Sequence, residues 1–143
     1  MNYLLDTCVL SELRKNPADS GLVGWIQEAD EARLYLSVLS IGEIQRGIAR
    51  LDESRRKQAL QRWLEIDLLT RFAGRILPID LDAALEWGLV GARHERSGRP
   101  APVSDSLIAA TAIAHNLALV TRNEKDFRGY RLKVLNPWVA SRR

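Results

Sequence analysis

Four acidic side chains in this sequence could do chemistry together: Asp6, Glu43, Asp105 and Asp126. Each follows a strand-like segment or lies near the start of a helix-like one, and an α/β fold gathers such positions at one edge of its sheet. Carboxylates that are gathered without a counter-charge repel one another, so the best occupant of such a cluster is a hard divalent cation held by oxygen ligands. The sequence therefore predicts metal-assisted chemistry.

Each acid also has a purely local interpretation. Asp6 could cap the helix that follows it, and Ser40 with Glu43 matches a capping box, in which the glutamate bonds back to the serine amide. Asp105 would stabilise the dipole of its own helix, and Asp126 could be a solvated loop residue. Four such acids at one predicted edge are rarer by chance than any one of them, which favours a shared site.

The elements that must position these acids alternate along the chain. Short apolar runs closed by polar or turn residues predict strands at 3–5, 33–39, 76–79, 117–121 and 132–135. Apolar residues at helical spacing predict helices over 41–51, 60–72, 81–92 and 107–114. This alternation predicts an α/β fold with a mostly parallel central sheet of about five strands, flanked by helices.

This layout brings the four acids to one edge of the sheet. In open parallel sheets the ligand site lies outside the carboxyl ends of the strands. Asp6 follows the first strand, and the helix that is expected to begin at Ser40 carries Glu43 after the second. Asp105 lies in the first turn of a later helix, and Asp126 follows the fourth strand.

The composition predicts a single domain over residues 1–143 that folds without disulfides. A chain of 143 residues with 46% hydrophobic residues can bury a core, and its one cysteine, Cys8, cannot form an internal disulfide. The first residues lack the pattern of a signal peptide, and no run approaches the roughly 20 apolar residues that span a membrane. The sequence therefore predicts a soluble, cytoplasmic protein without membrane contact. Its net charge of +3 permits attraction to phosphate without establishing it.

Four segments of the chain carry a family resemblance. They are YLLDT at 3–7, LSVLSIGEI at 36–44, DSLIAATA at 105–112 and LVTRNEKDF at 119–127. In this order and spacing they resemble the PIN-domain ribonucleases and, more narrowly, the toxin half of bacterial VapBC-type toxin-antitoxin pairs, including the FitB-like members. One of these motifs alone would be weak, but four in order are specific.

The resemblance implies a PIN fold and endonuclease activity on RNA that depends on Mg²⁺, with Mn²⁺ as a substitute. It also implies a homodimer, and a hetero-oligomer with a cognate antitoxin of the VapB or FitA type. Magnesium held by the acids would polarise a phosphodiester and lower the pKa of the water that attacks it. No covalent nucleophile is then required, and Cys8 is interpreted as a packed small residue.

The resemblance also assigns catalytic roles to single residues. Asp6 and Asp105 correspond to the central metal ligands of the family, and Glu43 corresponds to a third. The family places its fourth acid either directly after a Thr-Arg pair or a few residues later, so Asn123 and Asp126 compete for that position here. We expect Asp126 to take the acidic role and Asn123 to orient a water on the metal.

Other residues are expected to support the site or the substrate. Thr7 and Thr121 resemble hydroxyl residues that support the acids. Arg46 and Arg122 are the preferred RNA-binding residues because they lie close to Glu43 and Asn123 in the sequence. Such arginines position a phosphate backbone without reading its sequence. Further candidates for this role are Arg93, Arg96 and Arg99.

Two other classes of protein stay open. A haloacid-dehalogenase-like phosphatase also begins with an aspartate at a strand end, but that group uses a second aspartate two residues on, where this chain has Cys8. A catalytically inactive PIN-fold module that binds RNA or an antitoxin would keep the same motifs. A metal-dependent RNA cleavage assay separates that module from the enzyme.

Overall fold

The computed structural model describes residues 1–99 and 101–139, and a parallel sheet of five strands lies at its centre. The strands are β1 (Asn2–Leu5), β2 (Leu34–Ser37), β3 (Ile76–Leu77), β4 (Leu117–Val120) and β5 (Val134–Leu135). Their order is β3-β2-β1-β4-β5, and every neighbouring pair is parallel. The predicted sheet is therefore confirmed. The chain runs from β1 towards one edge and then returns to the other side of β1, so the strand order reverses between β1 and β4.

Helices connect these strands. They are α1 (Thr7–Leu13), α2 (Ser20–Glu28), α3 (Val38–Ala49), α4 (Arg55–Arg62), α5 (Leu69–Arg71), α6 (Leu81–Arg96) and α7 (Val103–Ala114). A π-helical stretch, Trp63–Leu68, joins α4 to α5, so the helix predicted over 60–72 begins earlier and is interrupted. Apolar periodicity detects such a helix but does not distinguish its hydrogen-bond pattern. Within the described part of the chain, every helix is too short or too polar to cross a bilayer.

Two hydrophobic cores lie on opposite faces of the sheet, because successive strand residues point to opposite faces. Leu5 and Val120 pack into one core with residues of α1, α2 and α3. Leu4 and Leu119 pack into the other with residues of α6 and α7. Both faces of β1 and β4 are therefore covered, which fixes the carboxyl ends of these two strands side by side.

The start of α3 differs from the prediction. The strand expected over 33–39 ends at Ser37, whose backbone is extended. The side-chain oxygen of Ser37 caps α3 by accepting a hydrogen bond from the Leu39 amide at 3.0 Å. Because the helix begins at Val38, Ser40 lies inside it and is fully buried. The predicted capping box of Ser40 and Glu43 is therefore wrong, and Glu43 lies in the second turn. Apolar residues fit the end of a strand and the first turn of a helix equally well, so the sequence does not locate this boundary.

Candidate active site

Asp6 is held where β1 ends beside β4. Its backbone amide donates to the Val120 carbonyl at 3.0 Å. One of its carboxylate oxygens accepts from the Thr7 amide at 2.8 Å and caps α1, while the other accepts from the Thr121 hydroxyl at 2.8 Å. The capping role and a role in the site are therefore compatible, because they use different oxygens.

Glu43 reaches the same edge of the sheet from α3. The Thr7 hydroxyl donates to Glu43 Oε1 at 3.2 Å and lies 2.8 Å from Ser40 Oγ. Ser40 is fully buried where α1 packs against α3. Thr7 thus links two of the acids, since its amide binds Asp6 and its hydroxyl binds Glu43.

Asp105 lies in the first turn of α7, as the sequence predicts. Burial raises the pKa of its carboxyl above the ordinary value, and the negative charges of Asp126, Asp6 and Glu43 raise it further. Charges influence one another in this way only at short range, because water and salt screen distant pairs. Because the charges of the other three act on Asp105, Asp6, Glu43, Asp105 and Asp126 are called the acidic cluster below.

Three of these acids, Asp6, Glu43 and Asp105, line an open cleft of about 390 Å³ at the carboxyl end of β1. The predicted supporting residues lie with them: Thr7 lines the cleft, and the buried Thr121 hydroxyl bonds to Asp6. This is the position where the reversal of strand order opens a crevice in α/β sheets. The structure thus brings together side chains that are about a hundred residues apart in the sequence.

The fourth acidic position is divided between two residues. Asn123 lines the cleft, and its backbone amide donates to Thr121 Oγ1 at 3.0 Å. Asp126 is exposed in the 3₁₀ turn that follows β4 and lines a neighbouring depression instead. Its charge still acts on Asp105. Asp126 therefore contributes to the electrostatics of the cluster from beside the cleft, while Asn123 lies within it.

The two arginines that were predicted to bind RNA, Arg46 and Arg122, differ in their position relative to the cleft. Arg122 follows β4 and lines the cleft. Arg46 is exposed on α3, one turn beyond Glu43, and is not among the residues that line the cleft. Of these two arginines, Arg122 is therefore the one that lies in the wall of the cleft.

A polar face of α1 and the residues just beyond it also line the cleft, which the sequence did not predict. Glu12, which is 8% exposed, lines the cleft together with Ser11 and Lys15. Burial raises the pKa of Glu12, but hydrogen bonds from the Lys15 ammonium at 3.2 Å and the Asp19 amide outweigh it and hold the pKa below its ordinary value. The sequence contained a signal for the position of Glu12, because side chains four positions apart lie on the same face of a helix and Glu12 follows Cys8 at that spacing.

Cys8 also lines the cleft, as a neutral thiol. Its Sγ lies 3.5 Å from Thr121 Oγ1 and 3.7 Å from Asp6 Oδ2. Burial raises the pKa of the thiol, and the negative charge of Asp6 raises it further. Because the thiolate is the reactive form of cysteine, this environment opposes a nucleophilic role.

The donor set fits a hard divalent cation. Such ions take carboxylate oxygens, and in the described residues none of Asp6, Glu43, Asp105 and Asp126 is paired with a basic side chain. No three His, Cys, Asp or Glu side chains among residues 1–99 and 101–139 are grouped so as to hold a metal by themselves. Magnesium keeps several waters and needs only one or two carboxylates, so a partly open set of this kind is compatible with it.

Comparison with known proteins identifies the family. Residues 3–132 match the model of the PIN domain. The chain belongs to the PIN-domain family. The fold and the resemblance that the four sequence segments predicted are therefore confirmed.

This PIN-domain chain is similar to characterised relatives along nearly its full length. It is 37% identical over 135 residues to "VapC ribonuclease Y4jK" of Sinorhizobium fredii, which covers 94% of this chain and 96% of the relative. It is 34% identical over 135 residues to "Toxin FitB" of Neisseria gonorrhoeae, with 94% and 97% covered. The crystal structure of FitAcB from N. gonorrhoeae matches with a TM-score of 0.90 at 34% identity and covers 96% of this chain and 99% of that one.

Proposed function

We propose that this chain is the toxin of a type II toxin-antitoxin pair and a magnesium-dependent endoribonuclease that hydrolyses RNA phosphodiester bonds. The observation that carries the proposal is the convergence of Asp6, Glu43 and Asp105 on one open cleft with Arg122 in its wall. The names of the relatives, a VapC ribonuclease and a FitB toxin, support the same activity class.

Asp6, Asp105 and Glu43 would hold the metal, one or two of them directly and the rest through water, and the metal would be Mg²⁺ with Mn²⁺ as a substitute. When bound, the ion supplies a Lewis acid for the phosphate oxygens and lowers the pKa of the attacking water. The catalytic set comprises these residues and Asp126, whose charge adds to theirs from beside the cleft.

The residues around the acids position them and the substrate. The Thr121 hydroxyl holds one oxygen of Asp6 through a hydrogen bond at 2.8 Å. Thr7 fixes Glu43 in the same way. Asn123 and Arg122 both line the cleft; Asn123 would orient water, and Arg122 would bind phosphate oxygens through two N–H donors.

The proposal is tested by cleavage of RNA with and without Mg²⁺. We expect Asp105→Asn to lower the cleavage rate about a hundredfold or more, because the metal that would stabilise the transition-state charge loses a ligand. Asp82→Asn is the matched control, because Asp82 also lies in the first turn of its helix but is on α6, outside the cleft. If clean wild-type protein cleaves no RNA with Mg²⁺ or Mn²⁺, the chain is an inactive binding module instead.

We propose a FitA-like or VapB-like antitoxin as the inhibitory partner. A largely apolar groove of about 300 Å³ adjoins the cleft; Thr7 and Glu43 line both, and Ile44 and Trp63 line the groove alone. An antitoxin segment in this groove could present an arginine or lysine to the acids and displace the cation. Ile44→Asp should weaken inhibition by the co-expressed antitoxin at least about tenfold, as a buried charge would. Unchanged inhibition would exclude this groove.

We propose that a second copy of the chain covers α6, which gives the expected homodimer. Leu81, Leu85 and Leu89 recur at four-residue steps and are 73%, 61% and 59% exposed. Leu85→Glu should shift the chain to monomer in sedimentation experiments, whereas a wild-type monomer would overturn the proposal.

A further inference from the structure

A second charged depression lies outside the acidic cleft and is basic. It has a volume of about 320 Å³, and its lining residues come from the end of α6, the loop after it and the segment after the 3₁₀ turn that follows β4. They are Arg93, His94, Ser97, Arg99, Arg128 and Gly129.

The three guanidinium groups of this basic pocket are available to a ligand. Among the described residues, Arg93, Arg99 and Arg128 take part in no ion pair with an acidic side chain. Like charges from separate segments repel one another, and an anion in their midst would relieve that repulsion. The planar fork of each arginine matches the geometry of phosphate oxygens.

The basic pocket is connected to the acidic cleft through shared walls. Arg122 lines both the cleft and a middle depression of about 270 Å³. Arg128 lines both that middle depression and the basic pocket. Lys125 adds positive charge to the middle depression, which also contains Glu124 and Asp126. A continuous surface thus leads from the acids to the three arginines, with an arginine at each boundary.

A second contact places the basic pocket beside the acids. The ring of His94, in the wall of the pocket, packs against Tyr130 with their centroids 4.5 Å apart. Burial raises the pKa of Tyr130, and the negative charges of Asp105 and Asp126 raise it further. Tyr130 thus packs against the wall of the basic pocket, and the charges of Asp105 and Asp126 act on its phenol.

We infer that the basic pocket binds a backbone phosphate of the RNA strand at a distance from the bond that is cleaved, and that Arg122 and Arg128 guide the strand between the two sites. The inference rests on the proposed function, in that it takes RNA as the substrate. Contacts of this kind position a strand and supply affinity without reading its bases. They predict stronger binding of RNA that is long enough to reach both sites.

The test is RNA binding by fluorescence anisotropy in EDTA, so that cleavage does not interfere. Unstructured RNAs of about four and about twelve nucleotides span the lengths that single-strand sites usually cover. The variants are Arg93→Ala, Arg128→Ala and the two combined. Arg55→Ala is the matched control, because Arg55 is an exposed arginine of α4 that lines none of the three depressions.

We expect the combined variant to bind the longer RNA about tenfold more weakly than wild type, since two charge-assisted contacts are lost. The slope of log affinity against log salt should become shallower by about 1.4, because each single-strand phosphate contact contributes about 0.7. The shorter RNA should lose less affinity, and Arg55→Ala should resemble wild type. Melting temperatures verify folding, and Arg99→Ala replaces Arg93→Ala if the helix variant is unstable.

The inference is overturned if the combined variant binds the longer RNA with the affinity and salt slope of Arg55→Ala. It is also overturned if the arginines matter for an acidic polypeptide such as polyglutamate but not for RNA. Because binding is measured without metal, failure of the ribonuclease proposal is a separate result. A chain that binds RNA through Arg93 and Arg128 but never cleaves it would contradict the enzyme and retain the binding site.

Discussion

The two halves of the acidic cleft are built differently. On one side, Asp6 and Glu43 are held by hydrogen bonds from Thr121 and Thr7. On the other, the described residues provide no hydrogen bond or ion pair to the Asp105 carboxylate, and its pKa is raised by burial and by the other acids. The first half is positioned by the protein alone, whereas the second would be stabilised by a cation. The hydrogen-bonded half therefore contributes to the stability of the fold without metal, whereas the Asp105 half would depend on a bound cation for its stability.

The largest expected contrast is in stability. Asp6→Ala should lower the free energy of unfolding by about 2 kcal/mol, because α1 loses its cap and the buried Thr121 hydroxyl loses a charged acceptor. Asp105→Asn should be at least as stable as Asp82→Asn. Both variants lose a negative charge in the first turn of a helix, but only Asp105→Asn also removes the repulsion between Asp105 and the other acids. Urea denaturation measures the three values. Equal destabilisation by Asp6→Ala and Asp105→Asn would remove the distinction.

The next contrast concerns metal. At ten times its dissociation constant, Mg²⁺ or Mn²⁺ should raise the free energy of unfolding of the wild type by about 1.4 kcal/mol, because it binds only the folded chain. Asp105→Asn should lose most of this increase, and Asp82→Asn should keep it. Thermal melts at several metal concentrations give the comparison. The same increase in Asp105→Asn as in the wild type would place the metal elsewhere.

A smaller contrast should appear with pH in the absence of metal. The folded chain holds the pKa of Asp105 above the ordinary 3.8, so it binds a proton more readily than the unfolded chain does. The wild type should therefore gain stability relative to Asp105→Asn as the pH falls through the raised pKa towards 3.8, and lose it as the pH rises. Urea midpoints of both proteins between neutral pH and pH 4 measure this. A difference that does not vary with pH would contradict the charge cluster.

The smallest effect is expected for Cys8. Its thiol stays protonated beside Asp6, so Cys8→Ala should change the RNA cleavage rate by less than about threefold. The ratio kcat/KM for a defined RNA is the measurement. A loss comparable to that of Asp105→Asn would show that the first half of the cleft acts through sulfur chemistry and not only through positioned carboxylates.

Much of the fold was predictable because it depends on local patterns. The apolar runs of β1 and β4 are buried on both faces of the sheet, and such runs differ from their polar surroundings whatever the rest of the chain does. The boundary between β2 and α3 at Ser37 was not predictable, because an apolar residue such as Val38 fits the end of a strand and the first turn of a helix equally well. The interruption at Trp63–Leu68 was missed for the same reason, because periodicity does not report hydrogen-bond pattern.

For the candidate site, the sequence by itself determined the acids and their places in the elements: Asp6 after a strand and Asp105 in the first turn of a helix. Only the tertiary structure decided that Asn123 lies in the cleft with Asp126 beside it, and that Glu12 joins the wall. The physical reason is that burial of apolar residues fixes elements locally, whereas the position of a loop side chain depends on the packing of elements distant in sequence.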